Sequence, residues 1–347
     1  VGIFMVYYYG FETFINKNLR TISKALVNEK PNTIFLVPLF VEAFHKQIWR
    51  AADKQKATAK LKAAMALSNS MLKTGIDMRE KFFESVLTPF GRNLKWIICG
   101  GAALDPFYVK EFRSWGIEIL NGYGMTECSP VVSVNRNLYR KDGTIGRGIP
   151  GADFKTADDE ELLVRGPFLM QGYYKDPELT KAAFTTDADD VGEGWFKTGD
   201  LGILRPEKGR LRLSLRGRSK NMILGPSGEN IYPEDIEFVL NQHPLVNESL
   251  IVEDDNGLVA LVQINEDKLK LLKRDLAYQK ESILNEIQFY LNSRVNKSSK
   301  VERVQVVTEF EKTASQKIKR YLYDLRTKVG EKKGKKSKND IDTKDEQ

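Results

Sequence analysis

Four short stretches hold side chains able to handle a phosphate, a sugar or a divalent cation. The first is NGYGMTE, residues 121–127, inside NGYGMTECSP. Its glycines let backbone approach a ligand closely. Tyr123 offers an aromatic face, Thr126 a hydroxyl for a phosphate oxygen, and Glu127 a hard oxygen ligand suited to Mg²⁺. The stretch has too much turn chemistry for a strand and too little periodicity for a helix. The second, GWFKTGD at 194–200, sets Asp200 after a TG turn, where one carboxylate can accept both hydroxyls of a ribose. GRSKN at 217–221 ends an exposed strand on Arg218, within reach of the same sugar or a phosphate. TASQKIKR at 313–320 carries Lys317 on a small-residue loop in a basic run. Singly, each has a plain alternative: a strand-to-loop transition, a turn carboxylate, a solvated edge charge, one lysine among several.

Around these stretches the chain changes texture twice. Up to about residue 120, short apolar runs (ETFIN, TIFLV, LKWIIC, IEIL) alternate with amphipathic segments (NLRTISKALVNEK, LFVEAFHKQIWRAADK, KLKAAMALSNSMLK, DPFYVKEFRSWG). Strand–helix alternation implies α/β architecture, a parallel sheet covered on both faces. NGYGMTE follows IEIL, so it falls at the C-terminal edge of that sheet, where open α/β folds bind ligands. From 144 to about 216 the chain has short strands and Gly/Pro turns; RLRLSLRG alternates at period two, as a half-exposed antiparallel strand does. Beyond 220, MIL, SLIVED, LVALVQIN and RVQVV read as strands, PEDIEFVLNQ as a helix begun at proline, and 268–294 as helical. The expected divisions are an incomplete α/β part (1–143), a small antiparallel β subdomain (144–218), a hinge (219–220), a mobile α+β C-terminal domain (221–328) and a disordered basic tail (329–347).

Composition narrows the classes. With 347 residues, 41% hydrophobic and 29% charged, the chain has material for two or three folded units. Two cysteines, Cys99 and Cys128, and two histidines, His45 and His243, make neither a disulfide framework nor a closed zinc site. Neither histidine stands near a nucleophile motif, which argues against Ser-His-Asp and Cys-His catalysis. The net charge of +7 owes most of its excess to the end: from Lys317 on there are eleven Lys/Arg and six Asp/Glu, a net +5. Such a tail is solvating, and specific nucleic-acid binding is not expected. No apolar run reaches the length of a membrane span and no signal peptide is read, which implies a cytoplasmic protein, with peripheral contact at the inner face of a membrane left open.

Taken in order, the four stretches resemble the adenylate-forming superfamily of acyl-CoA synthetases, peptide-synthetase adenylation domains and luciferases. Over about residues 1–325 the chain is most similar to bacterial long-chain fatty acid-CoA ligases, through GGAAL (100–104), ELLVRGPFLMQGYYKDPELT (161–180) and GENIYPEDIE (228–237). The resemblance implies ATP/AMP, Mg²⁺, coenzyme A and a fatty acid as ligands. It places Gly101, Ala102 and Ala103 on one side of the adenine and Asn121, Gly122 and Tyr123 on the other, with Gly124 among the cofactor-binding residues. It gives Thr126 the α-phosphate, Glu127 the Mg²⁺, Asp200 and Arg218 the ribose, and Lys317 the charge that develops during adenylation. Lys220 falls at the hinge between half-reactions, and the GPSGEN loop, with Gly225, Gly228 and Glu229, comes near CoA.

The resemblance has gaps. The superfamily's Ser/Thr/Gly-rich phosphate loop and its next upstream motif have no counterpart in the chain, which opens on Val1 within an apolar pattern. The expectation is a C-terminal fragment, two-thirds or less of an enzyme, unable to make acyl-AMP alone. Gln316 stands where a glycine usually precedes the lysine, and the usual proline before that loop is missing. Two other readings stay open: transfer to an acyl carrier protein, and a non-catalytic nucleotide- or acyl-AMP-binding module. Acyl chain length and oligomeric state are not legible.

Overall fold

The computed structural model describes residues 7–16, 18, 21–136, 139–225, 227–313 and 317–326. The basic tail from 329 and Gln316 lie outside them. The chain forms two compact units, Val1–Asn221 and Met222–Gln347.

The first unit is built on a nine-stranded sheet of order β1-β2-β3-β4-β5-β9-β8-β7-β6. Strands β1 (Thr33–Leu36), β2 (Trp96–Cys99) and β3 (Glu118–Tyr123) run parallel. Helices α1 (Ile22–Glu29), α2 (Pro38–Lys54), α3 (Thr58–Lys73) and α4 (Pro106–Ser114) accompany them. Proline at the first position begins α2 and α4, where its missing N–H costs nothing, and Asp105 caps α4 by accepting from the Phe107 N–H. Val41, Phe44 and Ile48 recur at helical spacing along α2 and pack with the cross-strand row Ile34, Ile97 and Ile119. Among the described residues the opposite face is covered less completely: its row begins with Phe35, which is 55% exposed, and continues through the half-buried Ile98 and Leu120. ETFIN forms no strand; Phe14 and Ile15 are exposed, and no described strand pairs with the segment.

β3 corrects the reading of NGYGMTE as loop throughout. Asn121, Gly122 and Tyr123 are its last residues. At Asn121 the strand ends its register with β2, and Gly122 and Tyr123 pair antiparallel with β4 (Ser133–Val134). The parallel layer therefore continues into the antiparallel part as one sheet. Beyond β4 come β5 (Gly146–Gly148), β6 (Asp153–Thr156), β7 (Glu161–Arg165), the short helix α5 (Pro177–Ala182), β8 (Phe196–Glu207) and β9 (Arg210–Arg218). A single 3₁₀ turn, Ser219–Asn221, follows β9.

In the second unit the hairpin β10 (Ile223–Leu224) and β11 (Asn230–Ile231) leads into α6 (Pro233–Asn241). β12 (Val246–Asp254) and β13 (Gly257–Ile264) pair antiparallel, and β14 (Arg303–Val306) joins β13 in parallel. The helical stretch expected at 268–294 is two helices, α7 (Glu266–Leu271) and α8 (Leu276–Asn292). Asp275 divides them, because its side chain accepts from the Ala277 N–H and caps a new start. Ile283, Ile287 and Leu291 on α8 bury one stripe against Ile236 and Leu240 of α6. No helix among the described residues is long and apolar enough to cross a membrane.

Candidate functional site

Residues from three parts of the first unit converge at the C-terminal ends of β2 and β3. Gly101 follows β2 with φ +91°, and Ala102 and Ala103 beside it are exposed. The two backbones run close: a Cβ on Gly100 would lie 3.1 Å from the Gly122 carbonyl oxygen. Beyond β3 the chain folds back tightly, with the Val132 N–H donating to the Tyr123 carbonyl at 2.8 Å and Ser129 left-handed at φ +53°. Gly124 sits where no other residue fits, since a Cβ there would meet the Pro130 carbonyl oxygen at 1.9 Å. The closure presents Thr126, exposed, and Glu127, half-buried, on one 3₁₀ turn, Thr126–Cys128.

Asp200 and Arg218 face each other across β8 and β9. Arg218 Nε lies 2.8 Å from Asp200 Oδ1, and the Tyr123 hydroxyl donates to Oδ2 at 2.7 Å. Asp200 is 5% exposed, and its backbone N–H donates to Thr198 Oγ1 at 3.1 Å. Gly199, at φ +68°, makes the preceding twist, and its N–H donates to Glu161 at 2.7 Å. Burial raises the Tyr123 phenol pKa well above its usual range, with the Asp200 charge adding to it. The phenol is thus held as donor, and its ring lies in a core cluster with Cys128, Phe154 and Leu213. What Tyr123 has left to offer a ligand is largely backbone.

Sequence reasoning missed three positioning contacts. Tyr173 donates its hydroxyl to Glu127 Oε1 at 3.0 Å and is itself held by a backbone bond to Thr180 Oγ1 on α5. Its position inside QGYYKDPE was the available signal. Glu161 and Thr198 fix the bend at Asp200, which no local pattern announces.

Two features match an incoming nucleotide and metal. Asn121 Oδ1 is buried without a hydrogen-bond partner, an acceptor placed beside the Gly101 loop. Glu127 has one oxygen spent on Tyr173, and no cluster of three or more His, Cys, Asp or Glu occurs among the described residues. A lone carboxylate suits Mg²⁺, which is commonly held by one or two carboxylates together with substrate phosphates.

The remaining site residues are distributed around the joint and in the second unit. Lys220 lies in the 3₁₀ turn after β9. Gly225, Gly228 and Glu229 shape the β10–β11 turn: Gly225 accepts from Gly228 and donates to Glu229, and the Glu229 carboxylate accepts from Ser227 at 3.0 Å. Lys317 is tied to Thr313 in both directions, its N–H donating to Oγ1 at 3.1 Å and its carbonyl accepting from the Thr313 N–H at 2.8 Å. Arg320, three residues on, pairs with Glu237 on α6, whose other oxygen accepts from the Ile251 N–H at 2.7 Å. Burial pushes the Glu237 carboxyl up to about 7, against the pull of Arg320.

A parallel sheet that continues into an antiparallel layer, followed by a separate α+β unit, is the architecture of adenylate-forming enzymes. The chain belongs to the AMP-binding enzyme family, whose model matches residues 1–174. It is 35% identical over 184 residues to the long-chain-fatty-acid–CoA ligase FadD15 of Mycobacterium bovis, covering 53% of this chain and 29% of the relative. It is 30% identical over 250 residues to the chloroplastic long-chain-fatty-acid–[acyl-carrier-protein] ligase AEE15 of Arabidopsis thaliana, covering 67% of this chain and 32% of that one. The chain thus spans about three-tenths of the length of these relatives. Among solved structures, the adenylation domain of a Mycobacterium chelonae carboxylate reductase matches with TM-score 0.69 at 21% identity, over 89% of this chain and 47% of that one. At that identity it bears on fold alone.

Proposed function

We propose that this chain contributes the nucleotide seat and the C-terminal unit of an AMP-forming acid–thiol ligase acting on long-chain fatty acids. The observation that carries the reading is the Tyr123–Asp200–Arg218 chain of contacts beside the Gly101–Ala103 and Asn121–Glu127 segments. A buried carboxylate fixed by a phenol and a guanidinium is a preorganised acceptor for a ribose diol. Asn121 Oδ1 would accept from the adenine amino group, with Gly101, Ala102 and Ala103 on the far side and Gly122 and Gly124 keeping the backbone close.

A fatty carboxylate repels a thiolate and lacks a leaving group. Attack on the α-phosphate of ATP replaces pyrophosphate and yields an acyl-AMP, from which a thiolate then displaces AMP. Negative charge grows at the α-phosphorus, so fixed donors and cations there lower the barrier. Thr126 would donate to that phosphate, and Lys317 would bring the positive charge. Glu127 would hold Mg²⁺, which supplies Lewis-acid neutralisation of phosphate charge when bound. The Ser219–Lys220 turn is the proposed pivot between half-reactions, and the turn with Gly225, Gly228 and Glu229 the proposed passage for pantetheine.

The test of the seat is binding of AMP and 2′,3′-dideoxy-AMP to the chain by calorimetry. AMP should bind roughly tenfold tighter or more, the value of hydrogen bonds to a charged acceptor, and Asp200→Asn should erase the preference. Equal binding of both ligands by the unaltered chain would overturn the ribose assignment. The alignment with the carrier-protein ligase over 67% of the chain favours one further reading, in which the acceptor is a phosphopantetheinyl carrier. Supplying CoA and carrier protein in parallel separates them: thioester on the carrier alone would displace the CoA assignment. A non-catalytic binding module would bind AMP and turn over neither acceptor even when acyl-AMP is supplied.

A further inference from the structure

Far from the ribose seat, the β-sheet carries an arrangement of charge that its own side chains do not balance. Arg147 on β5 pairs directly with Arg212 on β9, and Arg212 pairs directly with Arg205 on β8. Residues opposite one another on neighbouring strands share a face, and like charges in that relation repel. The three guanidiniums therefore form one row. Lys141 adds a fourth positive charge at the wall of the same cavity.

One carboxylate answers them. Glu207 accepts from Arg147 Nη2 at 2.7 Å and from Arg212 Nε at 2.9 Å, and Arg212 Nη2 is a further donor. These donors hold its carboxyl down to about 2. Among the described residues lining the cavity and flanking it in the row, the balance is four positive charges against one negative.

The donors are not all used. Arg212 is 5% exposed, yet its Nη1 has no hydrogen-bond partner, and neither does the buried Nε of Arg147. Buried N–H groups on a charged side chain are costly to leave unmade. Beside them is a cavity of about 130 Å³ lined by Lys141, Thr144, Arg205, Glu207, Arg212 and Ser214. Two of these are hydroxyl residues, and Pro206 completes the lining. The space is below the roughly 300 Å³ of a typical drug-sized ligand pocket, which excludes a whole nucleotide. Arg205 also lies five residues along β8 from Asp200, roughly 16 Å at strand rise, so the cavity is separate from the ribose seat.

We propose that Arg205 and Arg212, with Lys141 and the Thr144 and Ser214 hydroxyls, form a binding site for a phosphate group, Arg147 standing beside it as the next cation of the row. Arginine suits this work, since its planar fork of donors matches phosphate oxygens. The dianion takes up the unused Arg212 Nη1 donor and relieves repulsion along the row. Glu207, which lines the same cavity, keeps the Arg147 and Arg212 side chains oriented, and Tyr139, whose ring centroid lies 4.7 Å from the Arg147 guanidinium carbon, holds the Arg147 side chain in place.

The experiment is thermal unfolding and calorimetry of the chain in sodium phosphate against sodium chloride at matched ionic strength. Phosphate should raise the midpoint beyond chloride. Arg205→Gln, exposed and without structural partners among the described residues, should bind inorganic phosphate about tenfold more weakly. In phosphate-free buffer the same variant should be at least as stable as the parent, because a like charge has left the row. Lys141→Gln should weaken binding in the same direction. A parent that responds equally to phosphate and chloride overturns the proposal, as does an Arg205→Gln chain whose phosphate response is unchanged. Running the titration in Thr126→Ala and in Lys317→Ala separates this site from the nucleotide seat: the phosphate response must survive in both. Glycerol 2-phosphate in a parallel arm identifies the source. Tighter binding than inorganic phosphate marks a phosphomonoester ligand, and weaker binding marks the free ion.

Discussion

Lys317→Ala, made in the enzyme competent for the full reaction, is expected to lower acyl-AMP formation roughly a hundred- to a thousandfold, the usual cost of removing one transition-state charge stabiliser. Thioester formation from supplied acyl-AMP should stay nearly unchanged, because the attack is then at the acyl carbon and no bond to phosphorus is made or broken. The proposed role draws on the local geometry of the lysine. Its backbone is locked to Thr313, and the bridge Lys312–Ile318 and the Lys319–Glu311 backbone bond close the turn around it. Its ammonium has no partner among the described residues, so the side chain is free to find a phosphate. Lys319, whose ammonium lies 3.5 Å from Glu311, is the control: its alanine variant should leave both half-reactions nearly intact. Equal losses in both halves with Lys317→Ala would remove the assigned role.

The second large effect is steric. Gly124→Ala should destabilise the first unit by about 3 kcal/mol, the upper part of the range for overpacking, because its methyl would meet a backbone carbonyl that cannot turn away. The neighbouring Gly122→Ala is the comparison, since its Cβ would meet nothing nearer than 3.9 Å. Urea denaturation of both variants measures the difference, and similar midpoints would mean that the 124–131 fold-back is not closed in solution. AMP binding should follow stability, as Thr126 and Glu127 are displaced when the turn opens.

The helices and the parallel strands were legible because their residues repeat. Val41, Phe44 and Ile48 announce the buried face of α2, and TIFL and WIIC are short apolar runs bounded by turns. Asp200 and Arg218 stood out by chemistry, but their pairing depends on the β8–β9 register and on a bulge after Leu201. The Tyr123 hydroxyl reaching Asp200, 77 positions away, follows from the sheet's course and from nothing local. The arginine row was hidden for the same reason: Arg147 and Arg212 are neighbours only through strand pairing. ETFIN shows the reverse failure, since an apolar run without a partner strand has nowhere to place its backbone hydrogen bonds.

The Glu237–Arg320 pair makes the second unit a proton-linked structure. A carboxyl that titrates near 7 when folded and near its ordinary 4.5 when unfolded retains in the native state a proton that the unfolded chain has already released. Between those values the folded form binds more protons, so its stability must fall as pH rises. The contribution is fully present below 4.5 and is lost as pH passes through 7. Urea midpoints at pH 5 and pH 8 should therefore drop for the parent chain and change less for Glu237→Gln. A parent chain steadier at pH 8 would mean that Arg320 outweighs burial. Because Arg320 closes the segment that begins at Thr313, neutral pH is also where the charge state of that segment's anchor changes.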